Sequence, residues 1–499
     1  MKRISIKGAT WDSMFLAFAK GLTLLFGILS AKILSVGLTL EEYGTYSQAN
    51  LIMTTGTSII LFGLGDALAY YFNGKNNDKN NGSKTSVQTK AIIINTIFFI
   101  EIVLGLIMAA AIVGGQGLIA DYFSNPKVQE LMWVVALLPM FANVQYFMQV
   151  MCISIGRAKW MSFYSLVFTV IRIIAVYLSV YVFYNILWIY VAILLMDILQ
   201  MAVFNWDLRR ENVKINPFKI SFKYFKPIIS YGLPMGIYAL TSSFTRELGK
   251  IVIGGLGNTE ELAIYTNCSK VLPLDFFVTS FAVVLIPYIY RRVSEGRRDE
   301  SVELFSSYMK VGYYTVWTLG AMVLVAPSTI ISFLYADQYV VGTGVFIIFI
   351  FDSMIRFANV HLILTAAGKA KNVMIYSVVS LALNLALNVA FYMMWGMIGP
   401  AIATLIVAVV YMLLILSDTT RTIQTKWKEI FDIKDLSIFT VSIIIAWFAT
   451  FMLNKLLVGW GVHAYVSMII SMAVFGISIM AMHFKRIFGT LKKINSFKL

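Results

Sequence analysis

Ala91 to Gly114 reads AIIINTIFFIEIVLGLIMAAAIVG, an apolar run of 24 residues whose one charge is Glu101. Coiled as a helix rising ~1.5 Å per residue, such a run crosses the roughly 30 Å hydrocarbon core of a bilayer. Runs of the same kind recur along the whole chain. They are expected near 11–34, 45–65, 91–114, 131–153, 160–183, 186–206, 227–254, 262–290, 308–334, 342–366, 372–394, 396–417, 437–458 and 463–484. The fold class read from them is all-α, a polytopic membrane protein of about fourteen transmembrane helices. Composition agrees, since 59% of 499 residues are hydrophobic and 13% charged. A water-soluble chain of this length could not hide that much apolar surface.

The net charge of +15 would point to nucleic acid in a soluble protein, but its distribution excludes that partner. With the N-terminus (Lys2, Arg3, Lys7) placed in the cytoplasm, the connections on that side collect thirty of the forty basic residues, and those on the other side three (Lys32, Lys127, Lys455). This is the positive-inside bias, and it puts both termini in the cytoplasm. Trp11 to Leu34 is too long for a signal-peptide core and reads as a retained first helix. Cys152 and Cys268 fall near opposite ends of their spans, too far apart to bridge, with no metal-ligand spacing. No metal site or cofactor is expected.

An internal repeat organises the spans. Glu41-Glu42-Tyr43-Gly44-Thr45-Tyr46 follows the first span, and Glu260-Glu261-Leu262-Ala263-Ile264-Tyr265 follows the seventh. Gly156-Arg157-Ala158-Lys159 ends the fourth and Gly368-Lys369-Ala370-Lys371 the tenth, with Tyr164-Ser165 and Tyr376-Ser377 at one offset beyond. Six spans per repeat is an even number, so the repeats share one orientation, with a substrate cleft between them. The expected organisation is an N-terminal lobe over 1–206, a basic cytoplasmic linker over 207–226, a C-terminal lobe over 227–417, and two further helices with a basic tail over 418–499. The linker alternates Phe and Ile with Lys, a composition suited to the membrane interface and its anionic headgroups.

Ionisable side chains at mid-bilayer cost at least ~2.5–3.5 kcal/mol on insertion scales, so each one needs a reason. The cations are Lys20, Arg172, Arg246, Lys250, Lys270 and Arg356, and the acids are Glu101, Asp197, Glu247, Asp275 and Asp352. Asp352 with Arg356 and Glu247 with Lys250 are spaced to pair on one helix face. Lys20 and Arg172 have no acid three or four residues away in their own spans, and Glu101 or Asp197 could pair with them from neighbouring helices. Such pairs fix helix packing. Lys20, Arg246 and Lys250, with Lys270 and Arg356 as second choices, are the candidates for lining a cationic cavity that binds an anionic headgroup. His361 reads as a packing residue, Asn384 and Asn388 as helix-helix hydrogen bonders, Pro139 and Pro400 as kinks, and Gly254-Gly255 as a helix end.

With these motifs in place, the chain resembles the polysaccharide-export (O-antigen flippase, Wzx-like) family of the multidrug/oligosaccharidyl-lipid/polysaccharide exporter superfamily. The resemblance rests on Leu40 to Tyr46, on Tyr231-Gly232-Leu233-Pro234, on the repeated Gly-Arg/Lys-Ala-Lys turns, and on Gly396 to Thr404. It covers the chain to about Leu416 and implies two six-helix lobes moving an undecaprenyl-pyrophosphate-linked repeat unit outward by alternating access. It also implies a bacterial plasma-membrane location, membrane lipids around the protein, and a polysaccharide polymerase and chain-length proteins as neighbours. The family often carries an aspartate late in the seventh span before a basic residue. Here Gly249 precedes Lys250, and the nearest acid is Glu247. Lipid II flippases and ion-coupled multidrug exporters of the same superfamily are the alternatives. An enzyme is disfavoured because outer connections are short and no nucleophile–base set is visible.

Overall fold

The structure, a computed structural model, describes residues 6–61, 63–65, 67–68, 87–211, 213–270, 274, 285, 288–293 and 295–496. Side chains are described from 21 to 490 within these, except 87–90 and positions 231, 234, 235, 238 and 242, and again at 492. The regular elements described are all helical. By its internal contacts the chain divides into two compact units, Met1–Ala263 and Ile264–Leu499.

The first unit contains α1 (Ile6–Gly37), α2 (Leu40–Leu61), α3 (Val87–Gly114), α4 (Gln116–Tyr122), α5 (Lys127–Val135), α6 (Leu138–Ser154), α7 (Ala158–Tyr181), α8 (Ile186–Arg210) and α9 (Phe225–Leu256). The repeated Glu-Glu motif proves to be helix-starting chemistry. Thr39 Oγ1 accepts the Glu42 amide at 3.2 Å, and the Glu42 carboxylate accepts the Thr39 amide at 2.9 Å, a reciprocal capping box opening α2. At the second copy Asn258 Oδ1 accepts the Glu261 amide at 2.7 Å and opens α10 (Thr259–Cys268) in the same way. Gly44 of the first copy lies so close to Thr259 that a Cβ there would sit 2.1 Å from the Thr259 carbonyl oxygen. Only a residue without a side chain fits.

Two apolar clusters stack along the first unit. One gathers Ile97, Phe98, Phe147, Met151 and Phe204, and the other Ala109, Ile112, Phe123, Leu138 and Tyr190. Gly254 and Gly255 lie in the last turn of their helix, which ends at Leu256 with Gly257 as its C-cap. They let α9 lie against Phe123 and Tyr122, whose rings would be 2.6 and 2.4 Å from added Cβ atoms. Tyr122 Oη donates to the Ile251 carbonyl at 2.8 Å and fixes that approach.

The second unit contains α11 (Arg298–Val323), α12 (Pro327–Leu334), α13 (Thr343–Ile355), α14 (Leu362–Ala366), α15 (Ala370–Trp395), α16 (Ile398–Thr422), α17 (Ile433–Gly459) and α18 (Ala464–Ser496). Two expected spans are broken. The run 308–334 bends by 83° between α11 and α12, where Pro327 cannot donate to the preceding turn. The run 342–366 is interrupted between Ile355 and Leu362, with His361 at the break. Pro139 and Pro400 sit in first turns, where a missing N–H costs nothing. The two C-terminal helices are packed elements, joined to α11 through Tyr314, Phe439 and Phe475. Nine described helices are long and apolar enough to cross a bilayer, or ten if the bent pair is one span. The rest of the expected fourteen fall partly on residues outside those described, the eighth above all.

Candidate functional site

Between its two apolar clusters, the first unit carries a polar layer. On α7 and α8, Arg172 is ion-paired with Asp197, whose side chain is 5% exposed. Of the two partners the sequence allowed Arg172, this one is realised. The Gln200 amide donates to Ser165 Oγ at 3.3 Å one turn further along. On α2 and α9, Ser58 and Ser243 share a hydroxyl hydrogen bond of 2.7 Å.

Glu101 lies in the same layer, 1% exposed, and neither carboxyl oxygen has a hydrogen-bond partner. The expectation that it pairs with Arg172 is therefore not met, because Asp197 holds that guanidinium. Phe98 stands 5.3 Å from Phe147, and Gly105 abuts Met140. Helices α3 and α6 are thus antiparallel with Glu101 level with Asn143 and Val144. The Asn143 amide donates to the carbonyls of Thr57 (3.1 Å) and Pro139 (3.0 Å), and its own Oδ1 is buried without a partner. Two facing helices thus bring unsatisfied acceptor oxygens to one level of an apolar bundle. Buried polar groups are normally paired, and an exception calls for a proton, an ion or a functional reason.

Further along α9, Lys250 Nζ meets Glu247 at 2.8 Å, as the spacing predicted. That pairing neutralises one of the three cations chosen for headgroup binding. Its neighbour Arg246 is different: it is exposed and has no ion-pair partner among the described residues. The Lys20 side chain lies outside the described residues, as does Asp275. In the second unit, Arg356 Nε lies 3.0 Å from each Asp352 oxygen, and Lys270 Nζ bonds Asn267 Oδ1 at 3.1 Å and sits 5.9 Å from the Tyr335 ring centre. Asn384 and Asn388 are fully buried on α15, and the Asn388 amide donates to the Asn384 carbonyl and Oδ1 at 2.7 Å.

Sequence reasoning missed a pair of ion-paired turns. Arg157, which had been counted as a topological charge, holds Asp207 at the end of α8 through Nε (3.1 Å) and Nη2, and Glu211 through Nη1 (3.2 Å). Its counterpart Lys369 lies 3.6 Å from Asp418 and donates to Thr422 Oγ1 at 2.9 Å. The repeated Gly-Arg/Lys-Ala-Lys signal was visible, but its acidic partners were not. Lys310, which falls in the expected span 308–334, is ion-paired with Asp432 (3.1 Å) and Asp435 (3.6 Å) at the foot of α17.

Similarity to known proteins follows the same lines. No curated protein shows a significant sequence match to the chain. Its fold is similar to that of the lipid II flippase MurJ in an inward closed conformation, with a TM-score of 0.72 at 13% identity, covering 95% of this chain and 100% of that one. It is also similar to an inward-facing multidrug resistance MATE family transporter of the MOP superfamily (TM-score 0.64, 14% identity, 81% and 96% covered). A MOP superfamily transporter from Pyrococcus furiosus is a third neighbour (0.59, 13% identity, 82% and 95% covered). At these identities the likeness shows the fold, that of the MOP transporters. The family described as polysaccharide biosynthesis protein matches residues 31–343, more than half of the sequence. This chain, a multi-pass helical membrane protein, belongs to the polysaccharide biosynthesis protein family.

Proposed function

We propose that the protein is a flippase that carries an undecaprenyl-pyrophosphate-linked oligosaccharide repeat unit from the cytoplasmic to the outer leaflet of a bacterial plasma membrane, with both termini in the cytoplasm. Family membership over 31–343 is the observation that carries the reading. A MOP fold supplies a scaffold that one neighbour, by its name, uses to flip another lipid-linked precursor. The substrate's reactive end is a pyrophosphate, so the site must offer cations in an apolar surround. Arg246 is the first choice, because its guanidinium is exposed and unneutralised, and a planar fork suits phosphate oxygens. Lys250 contributes by exchanging Glu247 for the incoming phosphate, and Lys20 completes the set. Glu101, set against Asn143 without a partner, is the candidate coupling group, able to take up and release a proton as the first unit changes shape.

Complementation in a strain lacking its own flippase tests this, scoring surface polysaccharide at matched membrane expression. Wild type is expected to restore polymer. Arg246→Ala is expected to abolish it and Arg246→Lys to recover part, with Lys250→Ala intermediate because Glu247 already offsets that charge. Normal export by Arg246→Ala would remove the headgroup site and leave the family assignment standing.

A further inference from the structure

The segment joining α8 to α9 is built as a membrane-facing surface. Its backbone is pinned to α3: the Asn216 amide donates to Asn95 Oδ1 at 2.9 Å, and the Ser221 amide to Thr96 Oγ1 at 3.2 Å. Asn216 also accepts from the Phe218 amide (3.0 Å) and, through its carbonyl, from Lys219 (3.1 Å), closing a tight turn at Pro217. Val213, Ile215, Tyr224 and Phe225 pack down onto the apolar cluster beneath. What remains pointing away is Phe218, 89% exposed, and Phe222, 75% exposed. Lys214, Lys219, Lys223 and Lys226 are exposed around them, and none has an ion-pair partner among the described residues. Between 213 and 226 there is no acidic residue.

Depth decides what such a surface meets. Asn95 and Thr96 lie four and five residues inside the apolar span Ala91–Gly114, which is 24 residues long. At ~1.5 Å per residue they sit roughly 6–8 Å from its end, near the boundary of a roughly 30 Å hydrocarbon core. A loop fastened there lies at the boundary between the hydrocarbon core and the headgroups. Two exposed phenylalanines at that level, Phe222 with one face stacked on Phe225, are ringed by lysines without ion-pair partners among the described residues, and they match the acyl region below and anionic headgroups beside it.

We infer that residues 213–226 form a lipid anchor that inserts Phe218 and Phe222 into the leaflet and binds anionic phospholipid headgroups through Lys219 and Lys223, with Lys214 and Lys226 flanking. The anchor fixes the depth at which α9, the helix bearing Arg246 and Lys250, begins. It stands apart from the substrate reading, since it concerns bulk lipid and needs no lipid-linked sugar.

The test uses the full chain carrying Phe218→Cys labelled with an environment-sensitive fluorophore, the two native cysteines being buried. The protein is reconstituted in phosphatidylcholine vesicles with or without phosphatidylglycerol, and quenching by doxyl-labelled lipid is compared with quenching by aqueous iodide. Lipid quenching is expected to exceed iodide quenching, to rise with phosphatidylglycerol, and to fall at about 1 M salt, where the screening length shrinks to ~3 Å. Lys219→Gln with Lys223→Gln, both on the surface and harmless to folding, is expected to abolish the phosphatidylglycerol dependence. A label that iodide quenches and lipid does not, in either membrane, overturns the anchor. Lipid quenching indifferent to phosphatidylglycerol, salt and the lysine variants overturns the headgroup assignment.

Discussion

The two copies of the Gly-Arg/Lys-Ala-Lys turn do one mechanical task with different chemistry. In each, the basic residue after the glycine ties the turn to a carboxylate near the end of the second helix beyond it. The first copy concentrates the tie in one residue: the Arg157 fork takes both oxygens of Asp207, a side chain only 2% exposed, and adds Glu211. The second copy distributes it. Asp418 is held by the Asn372 amide at 2.7 Å and the Tyr376 hydroxyl at 3.3 Å, with Lys369 more remote at 3.6 Å and also engaged by Thr422. A planar guanidinium can satisfy a buried carboxylate alone, whereas a lysine, a point charge with no fork, needs helpers. The two turns thus keep the position of a bond while the residues that make it differ.

Removing the basic residue from each copy should separate these designs. Arg157→Ala strands a buried carboxylate and is expected to cost about 3–5 kcal/mol, read as a large fall in the thermal midpoint of the detergent-solubilised protein. Arg157→Lys should recover only part, since the fork is lost. The equivalent Lys369→Ala leaves Asp418 its amide and hydroxyl donors, so about 1 kcal/mol is expected. Equal losses at the two turns would break the comparison. Asn372→Ala combined with Lys369→Ala should bring the second turn toward the cost of the first, which sharpens it.

The smallest effect concerns the tie at the foot of α17. Asp432 caps α17 and is held below the ordinary carboxylate range, chiefly by the Asp435 backbone amide and then by Lys310. A depressed carboxyl stabilises the fold above its ordinary pKa, and that contribution is lost as pH falls through the lowered value. Asp432 is half exposed, so Asp432→Asn should cost only about 0.5 kcal/mol near neutrality. The gap between wild type and variant should close on acidification, as melting curves across pH would show.

How far the sequence could be read follows from how local each interaction is. Apolar runs and the basic asymmetry needed only composition and order, so the all-helical membrane fold was legible. Glu247 with Lys250 and Asp352 with Arg356 were legible because one helix brings both partners together. Arg172 with Asp197 was half legible, since 25 residues and a turn separate them and Glu101 was an equal candidate. Arg157 with Asp207 was hidden, because a cation in a basic loop is fully explained by topology and its partner lies 50 residues away. The Glu-Glu repeat was legible as a motif, while its local task as a helix cap shows only in the hydrogen bonds of Thr39 and Asn258. The bend between α11 and α12 was missed because hydropathy continues across it while the backbone turns.

The central claim, transport of a lipid-linked saccharide, is tested most directly with purified protein in liposomes. An undecaprenyl-pyrophosphate oligosaccharide is loaded in the inner leaflet, and its appearance outside is followed with a membrane-impermeant saccharide-modifying reagent. Protein-dependent exposure that Arg246→Ala slows strongly is the predicted result. Exposure no faster than in protein-free liposomes, with the protein folded and inserted, would contradict the account.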